Sequence, residues 1–199
     1  MLYKDLRDWL KIVDGFGELK VIEGAHWDHE IGIIRYMARK KGCAAPAILF
    51  DSIADYPKGY RVLTGINNSK RRLALTMGIE YKEKDLEFIK VIYEKLNHLM
   101  PIPPKVVKDG PIFENVQRGS DIDLFKFPTP RWHKEDAARY IGTYGFTLTR
   151  DPEEGWINLG TYRTMIYDKD TLLTFTEPGQ HRTLHMEKYF ARNEPMPVV

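Results

Sequence analysis

The sequence predicts an α+β chain: helices and strands alternate through the first hundred residues, and short antiparallel strands follow. Apolar residues recur at helical spacing in several early segments, separated by brief β-type runs bounded by Pro and Gly. The run Pro101-Ile102-Pro103-Pro104 then ends the last helix, because proline removes a backbone donor and clashes with the preceding turn. Beyond it the texture changes to short apolar runs cut by turn signals at Asp109-Gly110-Pro111, Asp151-Pro152-Glu153-Glu154-Gly155 and Asp168-Lys169-Asp170. The expected domains are therefore 1–104 and 105–199.

Leu2, Leu6, Trp9, Leu10 and Val13 form one helical face that stops at Gly15-Phe16-Gly17. A strand is expected over Leu19 to Ile22 and a second helix over His29 to Lys41, with Asp28 as its N-cap. Ala47-Ile48-Leu49-Phe50 and Arg61-Val62-Leu63-Thr64 read as short strands. Asn67-Asn68-Ser69 offers caps for a helix over Lys70 to Met77, and Lys84 to Met100 presents Leu86, Ile89, Ile92, Tyr93 and Leu96 on one face. In the second half, β-type runs are expected at Val106-Val107, Ile112-Phe113, Tyr140 to Thr149, Trp156 to Tyr167 and Leu172 to Thr176. Tyr140 to Thr149 and the strand from Trp156 suggest a hairpin, with Tyr140, Tyr144 and Phe146 on one sheet face. Residues 180–193 read as a helix, and the apolar, strand-like end at Pro195-Met196-Pro197-Val198-Val199 is expected to be continued by more chain or by a partner.

Lys plus Arg number 30 against 28 Asp plus Glu, and a net charge of +2 gives no electrostatic basis for binding nucleic acid or an acidic membrane. The clusters Arg39-Lys40-Lys41 and Lys70-Arg71-Arg72 read as solvated helix ends. Cys43 is the single cysteine, so no internal disulfide forms; an inert thiol in a reducing compartment is expected. No segment approaches the roughly 20 apolar residues of a membrane span, and the N-terminus does not read as a secretory signal, which predicts a soluble, cytoplasmic protein.

The densest chemistry lies in Asn158-Leu159-Gly160-Thr161-Tyr162-Arg163 and Glu177-Pro178-Gly179-Gln180-His181. Arg forks onto phosphate or carboxylate, while an Asn oxygen and a His nitrogen suit a divalent metal. Asn158 and Arg163 are five apart, so an unbroken strand puts them on opposite faces. A shared pocket requires a bulge at Gly160 or a turn around Asn158; otherwise they are a turn Asn and a surface Arg. His181 follows Pro178-Gly179 and falls in a first helical turn, where free N–H groups favour a phosphate and its metal. His185, one turn on, reads as packed or solvent-facing. His26-Trp27-Asp28-His29 has no common metal spacing and reads as a loop.

Several motifs occur together in the order of one family. Asp5-Leu6-Arg7-Asp8-Trp9-Leu10, Phe127-Pro128-Thr129-Pro130, Arg139-Tyr140-Ile141-Gly142-Thr143, Asn158-x-Gly-x-x-Arg163 and Pro195-Met196-Pro197-Val198 resemble the N-terminal part of the UbiD family of prenylated-flavin decarboxylases. The resemblance spans nearly all 199 residues, though a full family member is more than twice as long. One departure is Ala137-Ala138, where family members often carry Gly-Gly.

The resemblance implies a second domain that begins a flavin-reductase-like split β-barrel. It implies a reversible, non-oxidative decarboxylase or carboxylase acting on aromatic or α,β-unsaturated acids, with CO2 as the other partner and prenylated FMN carrying the hard chemistry. By the same resemblance, Asn158 and His181 are metal ligands for manganese or a similar divalent ion, with potassium as an optional further ion. Thr143, Asn158, Gly160, Thr161, Tyr162, Arg163, Gln180 and His181 fall on cofactor positions, and Arg163 is the catalytic arginine that contacts flavin and substrate carboxylate. Trp132-His133-Lys134-Glu135-Asp136 falls near the hinge. The third metal ligand and the catalytic carboxylates belong to the family's downstream region, so a C-terminal region or a completing subunit is the expected partner, in an oligomer. The competing expectations are a flavin-binding or assembly subunit without chemistry of its own, and an isolated piece whose open half-barrel self-associates.

Overall fold

The computed structural model describes residues 3–40, 42 and 45–199, so the expectations placed on Leu2, Lys41 and Cys43 lie outside the described residues. Its architecture is α+β with small sheets. Contacts group it into two compact units, 1–121 and 122–199.

The first unit holds α1 (Leu6–Gly15), β1 (Leu19–Glu23), α2 (Glu30–Arg39), β2 (Ala47–Asp51), β3 (Val62–Thr64), α3 (Lys70–Met77) and α4 (Asp85–Asn97). β1 and β2 run parallel, from Leu19 opposite Ala47 to Glu23 opposite Asp51, and α2 is the crossover this pairing requires. β3 returns antiparallel along β2. Central β2 buries Ala47, Ile48, Leu49 and Phe50, which is why its sequence is a continuous apolar run without alternation. Trp9 and Val13 of α1 pack with Ala47 and Leu75, and the Trp9 indole N–H donates to Thr76 Oγ1 at 3.1 Å.

Caps set the helix ends. The Asp5 carboxylate accepts from the Arg7 and Asp8 N–H groups, so α1 starts at Leu6. Ser69 caps α3 as expected, accepting from Arg72 N–H. Asp28 does not cap α2: His29 precedes that helix at φ 66°, and Glu30 reaches back to accept the His26 N–H at 2.8 Å. α4 ends at Asn97, short of the expected Met100. Arg72 is buried rather than solvated: its guanidinium donates to Glu18 Oε2 at 2.6 Å and to the Ala45 carbonyl at 2.7 Å. The expected strands at Val106-Val107 and Ile112-Phe113 are not formed. Val106 is exposed without strand pairing, and Pro111 starts a 3-10 turn over Pro111–Phe113.

The second unit contains β4 (Thr147–Arg150), β5 (Ile157–Gly160), β6 (Thr164–Ile166), β7 (Leu172–Thr174) and α5 (His181–Ala191). β4 and β5 form the expected hairpin, with Thr149 opposite Asn158, and β6 and β7 form a second one. Two expectations fail here. Residues 140–146 are not a strand, touching the ladder only through a bridge between Gly142 and Thr164, and Tyr144 and Phe146 are exposed. The run from Trp156 to Tyr167 is broken at 161–163. Beyond β4, Leu148 and Val199 exchange both backbone hydrogen bonds, at 2.7 and 3.1 Å. Among the described residues the strands make one three-stranded sheet and two two-stranded ribbons, with no closed barrel. No helix among them is long and apolar enough to cross a membrane.

Candidate functional site

The β4–β5 ribbon has an unusual polarity. Thr149 and Asn158 share the buried face that packs on α5, whereas Leu148, Ile157 and Leu159 point to the exposed side. A structural hairpin is ordinarily apolar inside and polar outside, so a polar inner face signals a site. Asn158 Nδ2 donates to Tyr162 Oη at 3.2 Å and to Thr149 Oγ1 at 3.4 Å. Both bonds leave from the amide nitrogen, so Oδ1 keeps its lone pairs for another partner.

The break at 161–163 supplies the bend that the Asn158 to Arg163 spacing demanded. The chain leaves β5 and the Tyr162 ring folds back over Gly160. A Cβ at Gly160 would lie 2.6 Å from that ring, so the close approach needs glycine. The Arg182 guanidinium lies 3.9 Å from the Tyr162 ring centroid and donates to the Phe175 carbonyl at 2.7 Å, tying α5 to the segment after β7. Arg163 itself is exposed, 5.1 Å from the Tyr140 ring centroid. The Gly142 to Thr164 bridge is isolated and antiparallel, and Thr143 follows it in a bend. Thr161 is exposed.

His181 opens α5 and is exposed; Gln180 is the residue before it and makes no side-chain cap bond to the helix. The start of α5 therefore has no side-chain cap. Instead Gln180 Oε1 accepts from the Glu177 N–H at 3.3 Å. Trp156 links the helix to the ribbon, with its ring edge-on to His181 at 5.2 Å and to His185 at 4.2 Å. His185 is fully buried, with Nδ1 3.0 Å from Thr149 Oγ1. The structure therefore joins Asn158, Gly160 and Tyr162 directly and connects His181 to them through Trp156, His185 and Thr149. Arg163 and Thr143 lie next to the bridged residues Thr164 and Gly142, and Gln180 bonds Glu177 rather than Asn158.

Asp151 opens the β4–β5 turn. Its buried carboxylate accepts from Lys188 Nζ at 2.7 Å and from the Glu153 and Glu154 N–H groups, which hold its pKa well below the ordinary carboxylate range, Lys188 foremost. Burial lowers the pKa of His185, opposed by the nearby Asp151 charge. Both groups have depressed folded-state values, so each contributes stability above its unfolded pKa that is lost on acidification. The His185 contribution fades below about pH 6.5 and that of Asp151 only below about pH 4. The thermal midpoint should therefore fall in two acid steps, and Asp151→Asn should shrink the lower step, which Asp5, Asp85, Glu153 and Asp168 share, keep or deepen the upper one and reduce the midpoint at neutral pH. Unchanged two-step behaviour in that variant would refute the assignment.

Among the described residues no three His, Cys, Asp or Glu side chains converge on a metal position. Asn158 and His181 fit a divalent ion by donor type, a neutral oxygen and an imidazole, as two parts of a larger ligand set.

Two family models match this chain: the N-terminal domain of 3-octaprenyl-4-hydroxybenzoate carboxy-lyase over residues 10–92, and the Rift-related domain of the same enzyme over residues 105–199. The chain belongs to the UbiD family. It is 33% identical over 175 residues to a pyrrole-2-carboxylic acid decarboxylase of Pseudomonas aeruginosa, covering 84% of this chain and 35% of that protein. It is 30% identical over 205 residues to a phenolic acid decarboxylase of Sedimentibacter hydroxybenzoicus, covering 99% of this chain and 42% of that one. Among solved structures, the closed form of the Sedimentibacter hydroxybenzoicus vanillic acid decarboxylase superposes with a TM-score of 0.87 at 30% identity, over all of this chain and 42% of that one. The UbiD-class enzyme HmfF of Pelotomaculum thermopropionicum in complex with FMN gives 0.78 at 26% identity, over 97% of this chain and 41% of that one. An evolved dimeric form of HmfF is described in complex with prenylated FMN and gives 0.78. This UbiD chain thus spans about 35 to 42% of the length of these relatives.

Within the UbiD frame, sequence reading missed Thr149, Asp151, Arg182 and the internal role of His185. The signal for His185 was present, one helical turn after His181, but spacing alone does not tell a buried histidine from a solvated one. Arg182 carried none, since an arginine beside a ligand-type histidine reads as surface charge.

Proposed function

We propose that this chain is the N-terminal, cofactor-binding part of a prenylated-FMN decarboxylase or carboxylase acting on aromatic or α,β-unsaturated acids. The observation that carries the reading is the inward-facing Asn158 amide, its nitrogen held by Thr149 and Tyr162 and its oxygen left available, on a ribbon packed against the helix that begins at His181. Asn158 Oδ1 and His181 would hold a divalent metal such as manganese, and the uncapped N–H groups at the start of α5 would hold the cofactor phosphate. The cofactor supplies the electron sink that lets the bond to the carboxylate break.

This chain's residues position the reactants. Arg163 presents a permanently charged, planar donor to the substrate carboxylate and orients it by a two-point contact. Thr143, Thr161, Tyr162 and Gln180 line the cofactor, with Gly160 giving the Tyr162 ring room to fold back toward Asn158. The proton that replaces CO2 comes from a carboxylic acid in the polypeptide that completes the enzyme. The exposed apolar side of the β4–β5 ribbon, Leu148, Ile157 and Leu159, supports further polypeptide closing a split barrel over it. Titration of the chain with FMN and Mn2+, followed by assay of the completed enzyme loaded with prenylated FMN against pyrrole, phenolic and unsaturated acids, tests the reading. Release of CO2 from one of these classes is expected; cofactor binding without turnover on any of them would leave a flavin-binding subunit instead.

A further inference from the structure

The geometry points to Thr149 and His185 as the pair that fixes which end of the Asn158 amide faces the metal, an inference that rests on the metal reading above. An asparagine amide can be turned over at almost no steric expense, which exchanges its oxygen for its nitrogen. Only the oxygen can ligate a cation, so a UbiD-type site at Asn158 requires something that forbids the flipped form.

The proton count supplies it. Thr149 Oγ1 is buried between Asn158 Nδ2 at 3.4 Å and His185 Nδ1 at 3.0 Å, and it owns one proton. With that proton donated to an unprotonated His185 Nδ1, Thr149 can offer Asn158 only an acceptor, and the amide must present nitrogen. His185 then carries its own proton on Nε2, which lies 3.8 Å from the Asp151 carboxylate and has no hydrogen-bond partner. That tautomer suits the negative Asp151 side, since a lone pair on Nε2 would face a carboxylate. The second Asn158 N–H is taken by Tyr162 Oη at 3.2 Å. Oδ1 is thereby turned away from the protein network. A flipped amide would set oxygen against the Thr149 oxygen with no proton between them; the Tyr162 hydroxyl could still donate to it, but the Thr149 oxygen would lose its donor and face a second acceptor. Thr149 and His185 touch neither cofactor nor substrate in this scheme; they are positioning residues.

The test compares Thr149→Ser, which keeps the hydroxyl, with Thr149→Val, which keeps the shape and removes it. His185→Phe is a second disruption that fills the space beside Trp156. Two quantities are read: the Asn158 side-chain amide proton signals and their exchange with solvent by NMR, and Mn2+ affinity in the presence of FMN by electron paramagnetic resonance. Wild type and Thr149→Ser should share slowly exchanging Asn158 protons. Thr149→Val and His185→Phe should lose that protection and bind Mn2+ about 10- to 100-fold more weakly. Wild-type amide signals in both disrupted variants would overturn the proposal, and so would altered signals with unchanged Mn2+ affinity. A completed wild-type enzyme that takes up no Mn2+ would overturn the metal reading itself, a result recognisable without any variant.

Discussion

Arg163→Ala in the completed enzyme should cut turnover by about 10²- to 10³-fold while leaving Mn2+ affinity within a few-fold of wild type. The asymmetry follows from position. The guanidinium sits over Tyr140 on the segment after β5 and is not hydrogen-bonded to Asn158 or His181, so its removal leaves the proposed ligands in place. What is lost is the charge that steers and holds the substrate carboxylate. Arg163→Lys should recover only part of the rate, because an ammonium is a point charge and cannot make the two parallel bonds of the fork. Steady-state CO2 release with parallel metal titration reads both effects. Equal losses of rate and metal affinity would mean that Arg163 supports the fold of the site and does not act on substrate.

Arg72→Met should destabilise the first unit by roughly 3–5 kcal/mol. The Arg72 side chain is 1% exposed and its guanidinium answers Glu18 Oε2, the Ala45 carbonyl and, at 3.3 Å, the Ile66 carbonyl. Removing it strands the last two acceptors in the interior and leaves Glu18 without its charge partner. Glu18→Gln should have a smaller effect, since the Glu18 side chain is 25% exposed and water can replace part of the lost interaction. Denaturant midpoints of both variants decide this; a loss at Arg72 no larger than at Glu18 would show that the pair behaves as a surface ion pair.

The first unit was legible because its periodic signals are local. The strand run at Ala47 and the helix from Lys70 to Met77 are set by apolar patterning and by Ser69, and both fall where the sequence places them. Asp28 misled because the chain enters α2 through His29 at φ 66° and no side chain caps that helix; Glu30 instead ties down the preceding loop by accepting the His26 N–H. The second unit was harder. Tyr140 to Phe146 alternates like a strand, yet only Gly142 finds a pairing partner, and alternation cannot report whether a neighbour exists. The need for a bend between Asn158 and Arg163 was readable from spacing; that Tyr162 makes it by folding over Gly160 was not. The chain from Asn158 through Thr149 to His185 joins residues far apart in sequence, and no local pattern encodes it.

Anomalous diffraction from crystals of the completed enzyme grown with FMN and Mn2+ tests the central claim most directly. One manganese peak is expected at bonding distance from Asn158 Oδ1 and a His181 ring nitrogen, with the FMN phosphate against the first turn of α5. Manganese bound elsewhere, or an Asn158 amide nitrogen directed at the metal position, would contradict it.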